Sequence, residues 1–467
     1  LNTSGHNTVV VDRSPQGRDL ARPGDLIAWH PVSGGVQVIE VSGESAYSQC
    51  ETYRRTLMLL PVDQDDALVL DIFDVEGGDV HEWMAQGSCM VDGTLEVSVP
   101  TEFHGESYAH DKEPFEPPRD AVYRKARRDR GIHPHRLEPG EPDPWYGVFR
   151  NVYEGEMAGS MTARFGYDTP EVAALRLHVL SPDRAQVYTC TVPSLRKVWS
   201  KAAGREEHEQ VEQFRMPKLI LRREGSDLHS RFVVLWEPTR NGVATHRVRS
   251  LAEPEADGVA VEIETDGPEP ARTMRLYCGD SPSSMVTGGG ITFRGRYAAF
   301  IQEDGKRTVS LYDATRFEGG GLDIAVTRRA PLPIAEVVRL EEDRWGVVLD
   351  GCWDDVTAES PRLFDQAEQV IVDQDGTRRA FPVSEVTAGN GKALLVCERD
   401  PGFDYDALAH VLRDRFSPFN TVDGEALVEL PSRVRVVQKD GQTTVVATDS
   451  VTVNGTMVEP TQTGTSF

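Results

Sequence analysis

The sequence predicts an all-β protein: a large antiparallel β-sandwich followed by a smaller β-domain. Three observations predict it. Short runs rich in β-branched residues recur along the whole chain, most of them alternating apolar with polar positions. Gly, Pro, Asp and Ser breaks separate them. Helical periodicity is almost absent, and a chain that is strand from end to end closes most simply as stacked antiparallel sheets.

The first strands are expected at residues 8–11, 35–41, 67–73 and 95–99, which carry β-branched residues or apolar–polar alternation. The same pattern continues at 175–180, 218–221, 231–236, 259–263, 297–301 and 308–312. Residues 110–145 interrupt it with Pro and charge, as a long surface excursion between strands does. A domain limit is placed at the Arg-Arg-Ala-Pro-Leu-Pro stretch of 328–333, giving a sandwich over 1–330 and a smaller unit over 331–467. Further strands are expected there at 344–350, 369–373, 392–397 and 434–439. One helix is expected, over 405–416, where apolar residues fall near helical spacing.

Composition removes several functional classes. The formal net charge is -25, the wrong sign for a nucleic-acid-binding surface. No apolar run approaches the roughly 18 residues of a membrane helix, so no membrane insertion is expected. The glycine runs at 288–290 and 319–321 lack the strand–loop–lysine context of a phosphate loop. The six cysteines are widely spaced, without metal-ligand spacing, and read as buried free thiols. An acidic ligand would need a locally basic patch. Positive charge concentrates at one place, residues 124–136, with Arg124, Lys125, Arg127 and Arg128 beside His133 and His135. A solvated loop and an electrostatic guide for a polyanion are the two readings of it.

Three motifs carry chemistry. Gly5-His6-Asn7-Thr8 sets an imidazole and an amide at the mouth of the apolar strand Val9-Val10-Val11. Ala46-Tyr47 is followed by Tyr53-Arg54-Arg55-Thr56. The third is Asp71-Ile72-Phe73-Asp74-Val75-Glu76-Gly77-Gly78-Asp79-Val80-His81-Glu82-Trp83. Singly, each suits ordinary sandwich construction. In this order and spacing they resemble the carboxyl-terminal module of the heparinase II/III family of polysaccharide lyases, most closely over 5–90 and more loosely to about 240.

The resemblance implies a β-sandwich that works with an amino-terminal (α/α) toroid, the two together cleaving acidic polysaccharides by β-elimination. It implies His6 for carboxylate neutralisation or proton abstraction and Tyr47 as acid. Asn7, Arg54 and Arg55 become contacts to the uronate. It also implies a zinc site, with His6 and His81 as ligands and an acidic third ligand among Asp25, Glu40 and Glu44. Gln86-Gly87 departs from the His-Gly usual in the family. The chain opens Leu1-Asn2-Thr3, with the first motif already at residue 6, and the resemblance predicts that the toroid precedes it in a longer protein. It further implies action in the bacterial cell envelope, the periplasm or outside the cell. The reading from another class is a carbohydrate-binding or structural sandwich without chemistry of its own.

Overall fold

A computed structural model describes residues 3–17, 24–32, 34–62, 66–108, 146, 149–167, 169, 172–194, 214–239, 246–251, 257–265, 272–341, 344–353, 368–374, 377–415 and 421–458. The basic run at 124–136 lies outside them. The protein is all β, built of antiparallel sheets. The chain divides into two compact units, Leu1–Arg18 with Glu44–Arg55 and Asp65–Ala244, and Asp19–Gly43 with Thr56–Gln64 and Thr245–Phe467.

The strands up to residue 244 are β1 (Val9–Val11), β2 (Asp25–His30), β3 (Gln37–Ser42), β4 (Thr52–Pro61), β5 (Ala67–Glu76), β6 (Val80–Gln86) and β7 (Gly93–Val97). They continue as β8 (Thr101–Ser107), β9 (Arg150–Ala158), β10 (Met161–Tyr167), β11 (Ala174–Ser181), β12 (Arg184–Pro193), β13 (Arg215–Glu224) and β14 (His229–Thr239). The first unit is a sandwich. One sheet runs β1-β6-β13-β12-β9-β8, and the facing sheet contributes β5-β14-β11-β10-β7.

Alternation fixes which side chains face inward. Val9, Val11, Trp83, Ala85, Leu219 and Leu221 of the first sheet meet Phe73, Val75, Phe232, Val234, Leu177 and Phe165 of the second in one buried cluster. Trp83 and Trp236 approach with ring centroids 5.9 Å apart. The six-stranded sheet is also apolar on its other face, where Val10, Met84, Ile220 and Tyr188 are buried with Tyr108, Tyr146 and Phe149. The polar residues Glu82 and Lys218 of that second covered face are fully buried too.

In the second unit an eleven-stranded sheet holds the strands from His246–Ser250 to Leu322–Thr327 around a core that includes Phe293, Phe300 and Phe317. After Thr327 the chain builds a separate seven-stranded sheet between Leu332–Arg339 and Leu427–Glu429, with its own core of Trp353, Phe381 and Phe403. It then rejoins the larger sheet, where Arg433–Lys439 pairs with Lys306–Gly319.

The helix expected over 405–416 is not formed. Phe403–Asp406 and Val411–Asp414 pair as a hairpin. Asp406 accepts the backbone N–H of Leu408 and of Ala409 at 3.1 Å, closing the turn. His410 takes a positive φ of 53°. Leu408, one of the apolar residues that suggested a buried helical face, is 98% exposed at the hairpin tip.

Candidate functional site

His6 sits on a short turn, Thr3–Gly5 and the residues that follow, just ahead of β1. The backbone on either side of it is tethered to the neighbouring strands. Lys218 Nζ donates to the Ser4 carbonyl at 2.7 Å, and Gln86 Nε2 donates to the Gly5 carbonyl at 2.6 Å. On the other side, the Gln86 backbone N–H donates to Asn7 Oδ1 at 2.9 Å, and Arg55 Nη1 donates to the Asn7 carbonyl at 2.9 Å. The Thr8 carbonyl accepts from Met84 N at 2.8 Å. The His6 side chain is exposed, and among the described residues no hydrogen bond or ion pair engages its imidazole. A held backbone carrying an unengaged titratable ring is a presented group rather than a structural one.

Register explains the tethers. Lys218 and Gln86 are directly opposite each other on β13 and β6, so both reach the turn from the same row of the sheet. Lys218 is fully buried and lies over the Phe149 ring at 5.5 Å. Burial pushes its ammonium down to about 8, against attraction from Cys190 and Glu82.

The other residues expected at the site have fixed partners. The Arg55 guanidinium grips Asp71 with two bonds of 2.9 and 2.7 Å, and packs over Phe73. Arg54 pairs with Asp74 at 3.2 Å, a carboxylate that Arg231 shares. Both guanidiniums thus neutralise carboxylates of β5 rather than presenting free charge. Tyr47 is buried in the sandwich core, its hydroxyl donating to the Ser14 carbonyl at 3.2 Å. Its neighbour Tyr53 donates to the Val9 carbonyl at 2.6 Å, and burial first of all pushes its hydroxyl up to about 12. Both tyrosines anchor the strand mouth from inside.

His81 lies five residues from Gln86 along β6, roughly 16 Å at ~3.3 Å per residue. It is therefore at the far end of the strand from the His6 turn. Its Nε2 donates to the Gly77 carbonyl at 2.9 Å, the only sense that bond permits. Its Nδ1 accepts from the Ser230 hydroxyl at 2.8 Å, while Ser230 takes a bond from Arg223. Burial lowers the His81 pKa, consistent with a neutral ring bonded at both nitrogens.

The structure therefore does not bring His6 and His81 together. The acids considered with them are engaged elsewhere: Glu40 with Thr56 and Arg296, and Asp25 with the Arg378 backbone. Glu44 has no described side chain. Among the described residues no group of three or more His, Cys, Asp or Glu is placed to hold a metal. These residues do not fit zinc.

No family model matches the chain, and no curated protein matches it.

A second cluster, not anticipated as a site, occupies the same covered face nearer the His81 end. Glu82 is completely buried and accepts from Tyr108 Oη at 2.7 Å, Tyr146 Oη at 2.5 Å and Arg13 Nε at 3.3 Å. Arg13 lies 5.0 and 5.6 Å from the centroids of those two tyrosine rings. Burial, and then the Glu82 charge, hold both tyrosines well above the usual phenol range. Next to it His104 Nδ1 meets Glu154 at 2.5 Å, and Tyr188 donates to the same carboxylate at 3.0 Å. These hydrogen-bonded partners lie between 26 and 69 residues apart in sequence, so only folding assembles them.

Proposed function

We propose that this chain is the β-sandwich part of a polysaccharide lyase that cleaves uronic-acid-containing glycans, heparin-, heparan- or alginate-like, by β-elimination. The observation that supports it is the exposed His6 imidazole, without a partner among the described residues, on a turn held by Lys218, Gln86 and Arg55. β-Elimination needs a base for the proton at C5, relief of charge on the neighbouring carboxylate and an acid for the leaving oxygen.

In this reading His6 takes the C5 proton. The electrons of that C–H bond form the C4–C5 double bond, the C4–O bond breaks, and the departing oxygen receives a proton. Tyr47 is committed to the Ser14 carbonyl within the core, so the acid is assigned to a partner domain, the helical toroid expected from the resemblance. The cation that meets the uronate is assigned there too, because Arg54 and Arg55 are already paired with Asp74 and Asp71. Asn7 is likewise structural here, its side-chain oxygen taken by Gln86. Such a substrate places the work at the cell envelope or outside the cell.

The test is the ultraviolet absorbance of newly formed unsaturated uronate, with alginate, heparin, heparan sulfate and hyaluronan as substrates. The protein assayed is the full polypeptide that contains this chain, as wild type and as His6→Ala. The expected result is turnover on at least one polymer that His6→Ala lowers about 10³-fold without unfolding the protein. No turnover on any of the four by folded wild-type protein, or turnover that survives His6→Ala, overturns the proposal.

A further inference from the structure

The seven-stranded sheet between Leu332 and Glu429 is an insert in the larger sheet of the second unit, and one buried polar cluster fastens both of its connections. His30, at the end of β2, is the centre of that cluster and is 1% exposed. Its Nε2 lies 3.0 Å from Asp313 Oδ2, on the Lys306–Gly319 strand of the larger sheet. Arg328 Nη2, from the entering connection, donates to Asp313 Oδ1 at 3.1 Å. From the returning side, the Ser432 N–H donates to the same oxygen at 3.3 Å, and Arg433 Nε donates to His30 Nδ1 at 3.4 Å. Asp313 takes a positive φ of 50°, uncommon for a residue other than glycine, where the two connections meet.

We propose that His30 and Asp313 form a pH-operated clasp on the insert: neutral His30 holds the two connections together, and protonation of the imidazole releases them. The inference goes beyond the lyase reading and does not rest on it.

The tautomer follows from the partners. An arginine Nε only donates, so His30 Nδ1 is the acceptor, and Nε2 carries the hydrogen donated to Asp313. A second proton has to enter at Nδ1, against the Arg433 N–H. It replaces an acceptor with a donor and sets two cations face to face. Around the ring, Tyr312 lies 5.0 Å away with its hydroxyl on the Val36 carbonyl. Tyr297 lies 6.0 Å away and is bonded to Glu40, which Arg296 also holds. Further charges about the cluster are Arg435, beside Tyr312, and Asp449, which accepts the Arg329 N–H at 3.1 Å.

Burial first of all, opposed by Asp313 and reinforced by Arg433 and Arg328, holds the His30 pKa below its ordinary value. The clasp is therefore closed above pH ~6.5, where a released imidazole is neutral too, and weakens as pH falls below that value. Against its own burial, the Asp313 carboxyl is held below the usual carboxylate range by His30, Arg328 and the Ser432 N–H, so it stays charged at pH 5. Release leaves the insert folded, because Trp353, Phe381 and Phe403 give it a core of its own. It also leaves the insert attached, since Arg378 donates its backbone N–H to Asp25 at 3.0 Å and Nη1 to the Ile27 carbonyl at 3.1 Å. What changes is the freedom of the two connections.

Amide exchange of the chain, followed by mass spectrometry at pH 7.5 and pH 5 and corrected for intrinsic exchange, tests the clasp. The reporters are the N–H groups of Asp313, Ser432 and Arg433, which are bonded to Ser432 O, Asp313 Oδ1 and Thr448 Oγ1. The strand Lys392–Cys397, inside the insert, is the control. In wild type the reporters are expected to exchange faster at pH 5, by as much as about 30-fold, with the control unchanged. His30→Gln keeps one donor and one acceptor but does not titrate, and is expected to show no such increase. The clasp is overturned by reporters that do not respond to pH in wild type, by an equal increase in the control strand, or by an increase that persists in His30→Gln. If His30→Gln does not fold, the wild-type ring decides, its resonance assigned through contact with the Tyr312 ring. Nuclear magnetic resonance is expected to show the Nε2–H tautomer at pH 7.5 and a midpoint below about 6.5. A ring carrying its hydrogen on Nδ1, or titrating at or above that value, overturns the proposal.

Discussion

The two ends of the β6–β13 strand pair treat their polar side chains in opposite ways. At the Gln86–Lys218 end the polar groups hold backbone carbonyls of the His6 turn, and the imidazole itself is left outside the network. At the His81–Glu82 end the polar side chains bind one another and strand-end carbonyls. His81 is bonded at both ring nitrogens, and Glu82 accepts from two tyrosines and an arginine. The same motif thus supplies one residue for presentation and others for construction. What separates them is burial and the count of bonds each group already makes. Chemical identity alone does not, because both ends carry a histidine.

That contrast is sharpest in how the two ends answer to deletion. Glu82→Ala should have the largest effect on stability. It strips a fully buried carboxylate from Arg13 and from two buried phenols, leaving a cation and two hydroxyls without acceptors. Breaking a buried pair from one side costs about 3–5 kcal/mol, and urea unfolding monitored by tryptophan fluorescence measures it. A loss below about 1 kcal/mol would mean that the cluster is solvated and that the contrast between the two ends is false.

Lys218 sharpens the comparison through pH. Its folded pKa of about 8 lies below the 10.5 of the unfolded chain. Between those values the unfolded state holds the extra proton, so stability rises as pH climbs through that window. From pH 8 to 10 the gain attributable to Lys218 is about 2 kcal/mol. Above that range the buried tyrosines act in the other direction, since Tyr53 and Tyr188 reach about 12 only when folded. The difference between wild type and Lys218→Met cancels those shared contributions. Wild type should gain on the variant across pH 8–10, and near neutral pH Lys218→Met should match or exceed wild type, because a buried charge with one neutral acceptor is costly. Parallel stability curves would mean that Lys218 is hydrated in solution.

Much of the fold was legible because sheets impose a period of two. Every strand expected from alternation is present, with ends shifted by a few residues or more, as in residues 297–301, which lie within the longer strand Ile291–Glu303. The error at 405–416 has a local cause. Tyr405, Leu408 and Leu412 mimic helical spacing, but the positive φ at His410 and the Asp406-closed turn fold them into a hairpin.

The site was less legible. His6 at a strand mouth could be read from sequence, and so could the departure at Gln86, whose tether to Gly5 gives that residue a role. Parity within Met216-Pro217-Lys218-Leu219-Ile220 puts Lys218 on the outer face. It does not reveal that Tyr108, Tyr146 and Phe149 cover that face and turn a surface lysine into a buried tether. The pairs Arg55–Asp71 and Arg54–Asp74 were hidden for a related reason. A charge reads as available until its partner on the next strand is known.

Gln86→Ala should be milder than either change above, at about 1 kcal/mol, because it removes one side-chain bond to Gly5 and keeps the backbone bond from residue 86 to Asn7. Its more informative consequence is local. Amide exchange at Gly5 and His6 should quicken in this variant while exchange along β13 stays slow, since only the turn loses a tether.

His6→Ala should cost least of all, within about 0.5 kcal/mol, because the ring is exposed and bonds to nothing among the described residues. A residue that folding does not need, on a backbone held by Lys218, Gln86 and Arg55, is what a presented group predicts. If His6→Ala instead destabilised the chain by 2 kcal/mol or about that, the imidazole would be a construction element like His81. The two ends of the strand pair would then be alike, and the elimination chemistry would lose its base.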